Sequence, residues 1–292
     1  MSELMSPPHA IAFLGHPNIP DALGVAGTMA EIWRAMGGRV QVGSLYDEEL
    51  RQRVKAGEFD LVIALGGDGT MLRTGHLCAP ADIPLLGVNI GHFGFLVEVK
   101  RDNWREALTQ LAAGKFRFED RMMIAARCLR AGEPDTDFDV INDVVVARGQ
   151  YVRPIEVEAT LDGARIASYI ADGLIAATPT GSTAYALAAG GPILPPEMRN
   201  ILLMPVAPHL SVDRAVVLSE GASICITVKT KHEAVVSVDG QASLSVVSGD
   251  CVQIKAHEKS LRMIRFEDPG YFYRNLTAYM EHNPLINIKT NG

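Results

Sequence analysis

The apolar run 61–65 ends directly in the loop Gly66-Gly67-Asp68-Gly69-Thr70. An apolar run without polar alternation is typical of a parallel strand that is covered on both faces, as in α/β folds. Ligands of such sheets bind at the carboxyl ends of the strands. The sequence therefore predicts an α/β domain whose glycine loop lies at the ligand-binding edge of its sheet.

The glycine loop itself indicates chemistry with phosphates. Its glycines allow a sharp turn and a close approach to a ligand, and the N–H groups at the start of the following helix favour anionic oxygens. A negative side chain at this place is unfavourable unless a metal ion offsets its charge or it accepts a proton from a hydroxyl group. We interpret Gly66, Gly67 and Thr70 as a phosphate loop and Asp68 as a candidate base, although strand-to-helix turns also often need glycines.

The chain alternates between strands and helices up to residue 102, which predicts a Rossmann-like α/β domain with a parallel sheet. One helix is predicted at 21–36, where the Asp21 side chain would accept a backbone hydrogen bond, and others at 47–56 and 103–113. Later segments are β-rich, and the sequence predicts strands at 116–129, 138–147, 155–161, 165–170, 215–218, 223–229, 234–238, 244–247 and 251–256. We expect a phosphate-binding domain over 1–102, a β-rich, sandwich-like domain over 103–266, and a tail over 267–292 that packs back on the first domain.

The composition argues against several classes of protein. Hydrophobic residues make up 48% of the 292 residues, but no apolar run approaches the roughly 20 residues that span a membrane, and the N-terminus has no signal or transit peptide pattern. The cytoplasm is therefore the expected location. A net charge of −7 without a basic run does not favour nucleic acid as a partner.

The cysteines and histidines do not indicate a metal site. Cys78, Cys128, Cys225 and Cys251 include no Cys-x-x-Cys pair, so we expect buried free thiols rather than disulfides or zinc ligands. The 8 histidines show no metal-binding spacing.

Two further segments contain small and polar residues that could contact a ligand. Gly87–Leu96 includes Phe95, whose ring could pack on an adenine or nicotinamide ring, although an aromatic residue after a turn is also typical of a core. Asp172–Tyr185 passes through a turn with four hydroxyl side chains. Helix capping explains some of these hydroxyls, but not all of them together with a tyrosine. The two common nucleotide fingerprints, the P-loop and the Rossmann glycine pattern, are not found.

Together, the glycine loop and these two segments resemble the NAD kinase family, the ATP-dependent enzymes that phosphorylate NAD to NADP. Further segments agree with the family, namely Asn142-Asp143, Thr178–Pro192, Pro205–His209 and Ser237–Gln241. The resemblance spans about 10–266. Related lipid kinases and phosphofructokinases share the loop around Asp68 but not the later segments.

The resemblance implies a role for each matching residue. Asp68 would accept the proton of the adenosine ribose 2′-hydroxyl as that oxygen attacks the terminal phosphoryl group of ATP, while Mg²⁺ or another divalent cation offsets the phosphate charge. Asn142 and Asp143 correspond to an Asn-Glu pair of the family, with an acid that is one methylene shorter, and Leu210 replaces the usual hydroxyl residue after His209. The β-rich domain would bind the dinucleotide. The residues implied to contact the substrate are Gly69, Phe95, Asn142, Asp143, Arg153, Asp172, Thr183, Ala184, Tyr185, Ala188, Ala207 and Gln241. Arg73, one turn after the loop, could meet a phosphate, although a solvent-facing arginine is nearly as plausible.

The resemblance also implies NAD and ATP as substrates and a homo-oligomer, a dimer or a tetramer, with the site near a subunit interface. Two alternatives stay open from the residues. One is a lipid or small-alcohol kinase with the same phosphate loop. The other is a non-catalytic sensor of NAD(P)(H), although a sensor has no need for an acid such as Asp68 that faces phosphates.

Overall fold

The computed structural model of the protein describes residues 4–91, 94–209 and 213–281. Its contacts divide the chain into two compact units, residues 1–120 with 261–292, and residues 121–260. His92, Phe93 and Leu210, which belong to the motifs above, lie outside the described residues. The domain boundaries after 102 and 266, and the packing of 267–292, stay predictions, because a contact-based unit is not the same thing as an independently folding domain.

The first unit is an α/β unit with a parallel sheet, as the sequence predicts. Its elements are β1 (Ala10–Gly15), α1 (Ala22–Ala35), β2 (Arg39–Ser44), α2 (Glu48–Lys55), β3 (Leu61–Gly66), α3 (Asp68–Cys78), β4 (Leu85–Asn89), β5 (Val99–Lys100), α4 (Trp104–Ala112) and α6 (Tyr271–Glu281). The strands follow the order β2-β1-β3-β4, with β5 beside β4, and all these pairs are parallel. Every residue of β1 and β3 is buried, which confirms a sheet covered on both faces.

The start of α1 differs from the prediction. Asp21 has a left-handed backbone with φ 66° and makes no capping bond, and its carboxylate instead pairs with Arg101 at 2.8 Å. A capping residue needs an extended backbone to turn its side chain toward the first helical turn. Asp47, with φ −69° and ψ 107°, has that geometry and accepts from the Leu50 N–H.

The second unit is β-rich. Its elements are β7 (Thr136–Val140), β8 (Asp143–Arg148), β9 (Ile155–Leu161), β10 (Ala164–Ala171), β11 (Gly173–Ala177), α5 (Tyr185–Ala188), β12 (Asn200–Val206), β13 (Val216–Ser219), β14 (Ile224–Val228), β15 (Ala234–Val238) and β16 (Leu244–Val246). Two longer strands, β6 (Arg117–Leu129) and β17 (Cys251–Arg265), contain the boundaries between the units.

Two antiparallel arrangements of strands pack together in this unit. One has the order β10-β9-β14-β17 and the other β13-β12-β11-β8-β15-β16. Their inner faces share one buried cluster, to which Val157 and Ile226 contribute from the first and Val146 and Leu174 from the second. This shared core confirms the predicted sandwich-like fold.

The strands differ from the sequence prediction at three places. The strand predicted at 251–256 is the longer β17, which continues to Arg265. The strand predicted at 138–147 is two strands, because β7 ends at Val140 and β8 begins at Asp143. Strand β12 has no counterpart in the prediction. The Asp162-Gly163 turn, in contrast, has positive φ at both residues, 50° and 81°, as a tight hairpin between β9 and β10 requires.

Two expectations from the composition can be compared with the structure. No helix among the described residues is long and apolar enough to cross a membrane. All four cysteines are free thiols, but only Cys78 and Cys128 are buried, whereas Cys225 and Cys251 are half-buried.

Candidate active site

The glycine loop connects β3 to α3 at the carboxyl edge of the parallel sheet. Gly67 is the N-cap of α3, with an extended backbone and no capping side chain, and Asp68 lies in the first turn. The N–H groups of Thr70 and Met71 both donate to the Gly67 carbonyl, at 2.9 and 3.1 Å. The loop thus presents an acid at the positive end of a helix.

The glycines of this loop allow close packing and leave open space beside the backbone, and they do not adopt a left-handed conformation. None of Gly66, Gly67 and Gly69 is among the glycines with positive φ, although the chain passes from the end of β3 at Gly66 to the start of α3 at Asp68. A Cβ at Gly66 would lie 2.2 Å from the Thr70 hydroxyl oxygen, whereas a Cβ at Gly67 or Gly69 would meet nothing within 4 Å. The backbone of Gly67 and Gly69 therefore borders free space, while the 3% exposed Thr70 packs inward.

Two backbone N–H groups hold the Asp68 carboxylate in place. Phe95 N–H donates to Oδ2 at 2.8 Å and Leu96 N–H donates to Oδ1 at 3.1 Å. A Cβ at Gly94 would lie only 2.2 Å from Oδ1, so this glycine is required by the position of the acid. Gly94 and Leu96 were not singled out from the sequence, although both lie in the glycine-rich segment Gly87–Leu96.

The predicted phosphate contact Arg73 has a partner within its own unit. Its side chain is exposed, its Nη1 donates to the Tyr46 hydroxyl, and its guanidinium carbon lies 5.7 Å from the centre of the Tyr46 ring. Tyr46 packs edge to face on His16. Arg73 is thus positioned by Tyr46, a residue that no sequence motif indicated.

In the second unit, the Asn142-Asp143 segment is fixed by Asp239. The Asp239 carboxylate accepts the N–H groups of three consecutive residues, Ile141 at 2.9 Å, Asn142 at 2.7 Å and Asp143 at 3.0 Å. In return, the Asp239 N–H donates to the Asp143 carbonyl at 3.0 Å. Asp239 belongs to a segment that matches the family, but its turn-like Asp-Gly sequence gave no signal for this role.

The hydroxyl-rich turn supports the same segment from the other side. Thr178 Oγ1 donates to the Ile141 carbonyl at 2.6 Å and accepts the Gly181 N–H at 3.0 Å. A Cβ at Gly181 would lie 2.0 Å from the Asn142 carbonyl oxygen.

The other hydroxyl groups of the turn also have partners within the protein. Ser182 Oγ donates to the Pro179 carbonyl at 2.7 Å, Thr183 Oγ1 donates to the Thr180 carbonyl at 3.0 Å, and Thr180 Oγ1 accepts from Arg121 Nη1 at 3.3 Å. These hydroxyls therefore stabilise the turn, and their contact with a ligand stays a prediction.

Asp143 has an unusual protonation equilibrium. Its side chain is 4% exposed. Burial raises the pKa of Asp143 to about 7, the negative charge of Asp239 acts in the same direction, and the Tyr185 backbone N–H, which donates to the carboxyl group, partly opposes them. Perturbed acids of this kind are often found in functional sites.

The remaining predicted contacts of the second unit lie at its surface or near it. Asp172 is half-buried and pairs with Arg148 at 3.3 Å. Ala207 is an exposed residue with a left-handed backbone, φ 46°, a conformation that costs free energy for a non-glycine residue and is enriched at functional sites. Six further residues are exposed or half-buried, namely Arg153, Thr183, Ala184, Tyr185, Ala188 and Gln241. In the second unit, Ala177 pairs with Asp143 and Gly173 with Ala147, so Asp172 and Ala207 lie at the opposite end of β8 and β11 from Asn142 and Asp143.

Comparison with known protein families gives matches along both units. A family model described as the ATP-NAD kinase N-terminal domain matches residues 27–116, and one described as the ATP-NAD kinase C-terminal domain matches residues 141–266.

Individual proteins match over most of the chain. A protein named NAD kinase from Heliobacterium modesticaldum is 44% identical over 225 residues, which cover 77% of this chain and 79% of the relative. Another, from Citrifermentans bemidjiense, is 36% identical over 273 residues, covering 90% and 95%.

Two solved structures have a similar fold. A yeast NADH kinase complexed with NADH superimposes with a TM-score of 0.84 at 21% identity, over 96% of this chain and 89% of that chain. An NAD kinase from Archaeoglobus fulgidus in complex with ATP gives a TM-score of 0.75 at 26% identity, over 94% and 99%.

Proposed function

The chain belongs to the NAD kinase family, and from that premise we propose that Asp68 is the base of a phosphoryl transfer from ATP to NAD. The enzyme is an ATP-dependent phosphotransferase that converts NAD to NADP by phosphorylating the 2′-hydroxyl group of the adenosine ribose. Phosphoryl transfer depends mainly on alignment and on charge neutralisation, so the positions of a few groups decide its rate.

The observation that carries the proposal is the fixed carboxylate of Asp68 beside open backbone. Two N–H donors, from Phe95 and Leu96, fix the orientation of the carboxylate. A carboxylate accepts hydrogen bonds on both of its oxygens, and the proposed ribose hydroxyl would donate to one of them. A base held in one orientation loses little entropy when the substrate arrives.

The phosphates of ATP would bind at the start of α3. Gly67 and Gly69 border free space, and helix N-termini attract anionic oxygens through their unpaired N–H groups. Arg73, one turn further along α3 and oriented by Tyr46, would add a positive charge on the same helix. Phe95 contributes a backbone N–H to Asp68, and its half-buried ring would pack against the dinucleotide.

Mg²⁺, which we propose as the divalent cation, fits a site with few protein ligands. The residues that the structure describes contain no group of three or more His, Cys, Asp or Glu side chains that could hold a metal ion. Mg²⁺ often binds through substrate phosphates, water and one or two carboxylates, and Asp68 is the carboxylate of the glycine loop. The cation would neutralise charge on the transferred phosphoryl group.

The dinucleotide would bind to the surface that surrounds Asn142 and Asp143. Asp239 and the 178–183 turn hold this segment rigidly, and Tyr185, whose backbone N–H bonds to Asp143, has a 47% exposed side chain. Asn142 and Asp143 supply donors and acceptors for ribose or adenine. Thr183, Ala184, Ala188 and Gln241 would complete this surface. Asp172, Arg153 and Ala207 lie toward the other end of β8 and β11, and we propose that they contact the dinucleotide bound by a neighbouring subunit.

We further propose that the enzyme is a homo-oligomer, a dimer or a tetramer, that acts in the cytoplasm. Exposed apolar side chains in the second unit support an interface, since Tyr151, Val152 and Tyr185 are 66%, 83% and 47% exposed. Light scattering after size exclusion tests the assembly. A strictly monomeric active enzyme would contradict it.

The Asp68→Asn variant tests the proposed role of the base. We expect the fold to persist and NADP formation to fall by about 10²-fold or more, the usual effect of removing a general base. The measurement is steady-state turnover with ATP, Mg²⁺ and NAD, with the product identified by mass spectrometry. Parallel incubations with a lipid alcohol, or binding of NAD without turnover, address the two alternative functions.

Asp60→Asn is a matched control for this variant. Asp60 lies just before the opposite end of β3, and its carboxylate also accepts two backbone N–H groups, those of His9 at 2.9 Å and Ala10 at 2.7 Å. The Asp60→Asn variant should weaken a comparable pair of backbone hydrogen bonds but keep the turnover of the wild type. Nearly normal turnover of folded Asp68→Asn would refute the catalytic role.

A further inference from the structure

Two buried carboxyl groups with different surroundings lie at the start of β8. Asp239, on the turn after β15, is 8% exposed and accepts three backbone N–H groups. Three donors to one carboxylate stabilise its negative charge. Asp143 is 4% exposed and receives a backbone N–H from Tyr185. The arrangement therefore places a carboxyl group with three backbone donors beside a buried carboxyl group with one.

Several charged or polar groups on the surrounding elements lie near Asp143. Asp239 is the charged group that acts on Asp143. Arg121, on β6, is buried and directs Nη1 toward the Thr180 hydroxyl. Tyr185, on α5, meets Asp143 through its backbone, and its side chain is 47% exposed. Burial and the negative charge of Asp239 both favour the protonated form of Asp143 and raise its pKa.

We propose that Asp143 contacts the bound dinucleotide as a neutral carboxylic acid that donates a hydrogen bond, and that Asp239 is a positioning residue that keeps it in this state. The inference rests on the proposed function of this segment. A neutral carboxyl group has an O–H donor, whereas a carboxylate only accepts. The ligand atom would be a hydrogen-bond acceptor of the ribose or the adenine. A neutral acid also avoids repulsion with the anionic pyrophosphate of the dinucleotide.

The length of the side chain is part of the inference. The resemblance implies a glutamate at this position in the family, and aspartate is one methylene shorter. The shorter side chain keeps the carboxyl group close to its own backbone, whose N–H is bound by Asp239 at 3.0 Å. Asp143 therefore has less freedom to move away from the neighbouring charge.

The test is the pH dependence of KM for NAD, measured separately from kcat between about pH 5.5 and 9. Asp143 has a pKa of about 7, so the protonated form dominates below this pH and the ionised form above it. KM should be low at pH 6 and rise at alkaline pH, approaching about tenfold for each further pH unit if only the protonated form binds. In Asp143→Asn, which is neutral at every pH, we expect a flat KM profile.

Asp239→Asn examines the positioning role. Without the neighbouring charge, Asp143 should ionise at lower pH, so the rise in KM should begin at lower pH than in the wild type. Asp162→Asn is the matched control, because Asp162 also has a left-handed backbone, φ 50°, precedes a glycine, and accepts one backbone N–H, that of Ser223 at 3.0 Å. It should keep the wild-type profile.

A direct measurement separates this inference from the proposed function. The carbonyl stretch of a protonated carboxylic acid, followed by infrared difference spectroscopy of the ligand-free enzyme, should be present at pH 6, titrate near neutral pH and be lost in Asp143→Asn. Such a signal does not depend on turnover, and it decides the question even if Asp239→Asn does not fold.

Either of two results would contradict the proposal that Asp143 is a neutral donor. One is a wild-type KM for NAD that is constant from pH 6 to 9, and the other is the absence of the carbonyl stretch of a protonated carboxylic acid at pH 6. Failure of the wild type to form NADP at every pH would instead reject the proposed function. The infrared titration would still report the state of Asp143.

Discussion

The glycine loop of the first unit and the hydroxyl-rich turn of the second unit both look like ligand-binding loops in the sequence, but they are built in opposite ways. At Gly67 and Gly69 the backbone is open, because an added Cβ would meet nothing within 4 Å. In the turn, Thr178, Ser182 and Thr183 donate their hydroxyl hydrogens to backbone carbonyls of the protein. The first loop leaves room for a ligand, whereas the second positions its neighbour, the Asn142-Asp143 segment.

Because the two loops are built differently, glycine substitutions should have different consequences in the two units. In the first unit the atom nearest to a glycine can belong to the proposed base, Asp68, and in the second it can belong to the backbone of Asn142. A flexible side chain can move aside at little cost, but a buried backbone cannot. In the first unit, such a substitution should therefore lower activity without lowering stability. In the second unit, it should lower both.

Gly94→Ala should have the largest effect. The new Cβ would lie 2.2 Å from Asp68 Oδ1, so the carboxylate must leave the N–H groups that orient it. We expect kcat/KM for NAD to fall by about 10²-fold or more, which corresponds to roughly 3 kcal/mol of transition-state stabilisation, while the free energy of unfolding changes by less than about 1 kcal/mol. Steady-state kinetics and urea unfolding measure the two quantities. Gly27→Ala, in open space on α1, is the control.

A large loss of stability in Gly94→Ala would show that this glycine serves packing rather than the position of the acid. Unchanged turnover would contradict the requirement for a fixed Asp68.

Gly181→Ala should have the second largest effect, this time on stability. Its Cβ would lie 2.0 Å from the Asn142 carbonyl oxygen and 2.4 Å from the carbonyl carbon, so the backbone must shift. We expect a loss of about 2–3 kcal/mol in the free energy of unfolding, together with a higher KM for NAD. Urea unfolding provides the test. Gly221→Ala, where a Cβ would meet nothing within 4 Å, should leave stability nearly unchanged.

Thr178→Val should have a smaller effect of the same kind. It removes the donor to the Ile141 carbonyl and the acceptor of the Gly181 N–H, both of which are buried. We expect a loss of about 1–2 kcal/mol and an increase of less than about tenfold in KM for NAD, because the segment shifts without losing its own ligand-binding groups. Thr28→Val, whose hydroxyl bonds within the exposed face of helix α1, should cost much less. A large fall in kcat with unchanged stability would place the Thr178 hydroxyl on the substrate instead.

The parallel sheet and the glycine loop could be predicted because their signals are local. The apolar run before Gly66 defines a strand that is buried on both faces, and the acid of the loop follows within two residues. The donors that hold Asp68 come from Phe95 and Leu96, 27 and 28 residues further along the chain. The glycines of the segment Gly87–Leu96 indicate that this segment could contact a ligand. Nothing in the sequence indicates that its N–H groups bond to Asp68.

The Asn142-Asp143 segment depends on contacts that are distant in sequence. Asp239 lies 97 residues from Asn142, and its Asp-Gly sequence is equally typical of an ordinary hairpin turn. The break between β7 and β8 also has no local signal, because Ile141 and Val144 continue the apolar pattern around one asparagine and one aspartate. Tertiary hydrogen bonds, rather than local propensity, define the break.

The attachment of Asp68 to the backbone of Phe95 and Leu96 has a consequence for protein design. A graft of residues 66–70 onto another parallel sheet would transfer the acid without the groups that aim it. A designer would have to transplant the segment after the neighbouring strand as well, with its glycine at 94 intact. The acid and the backbone groups that orient it would therefore have to be moved together, as two short stretches of chain.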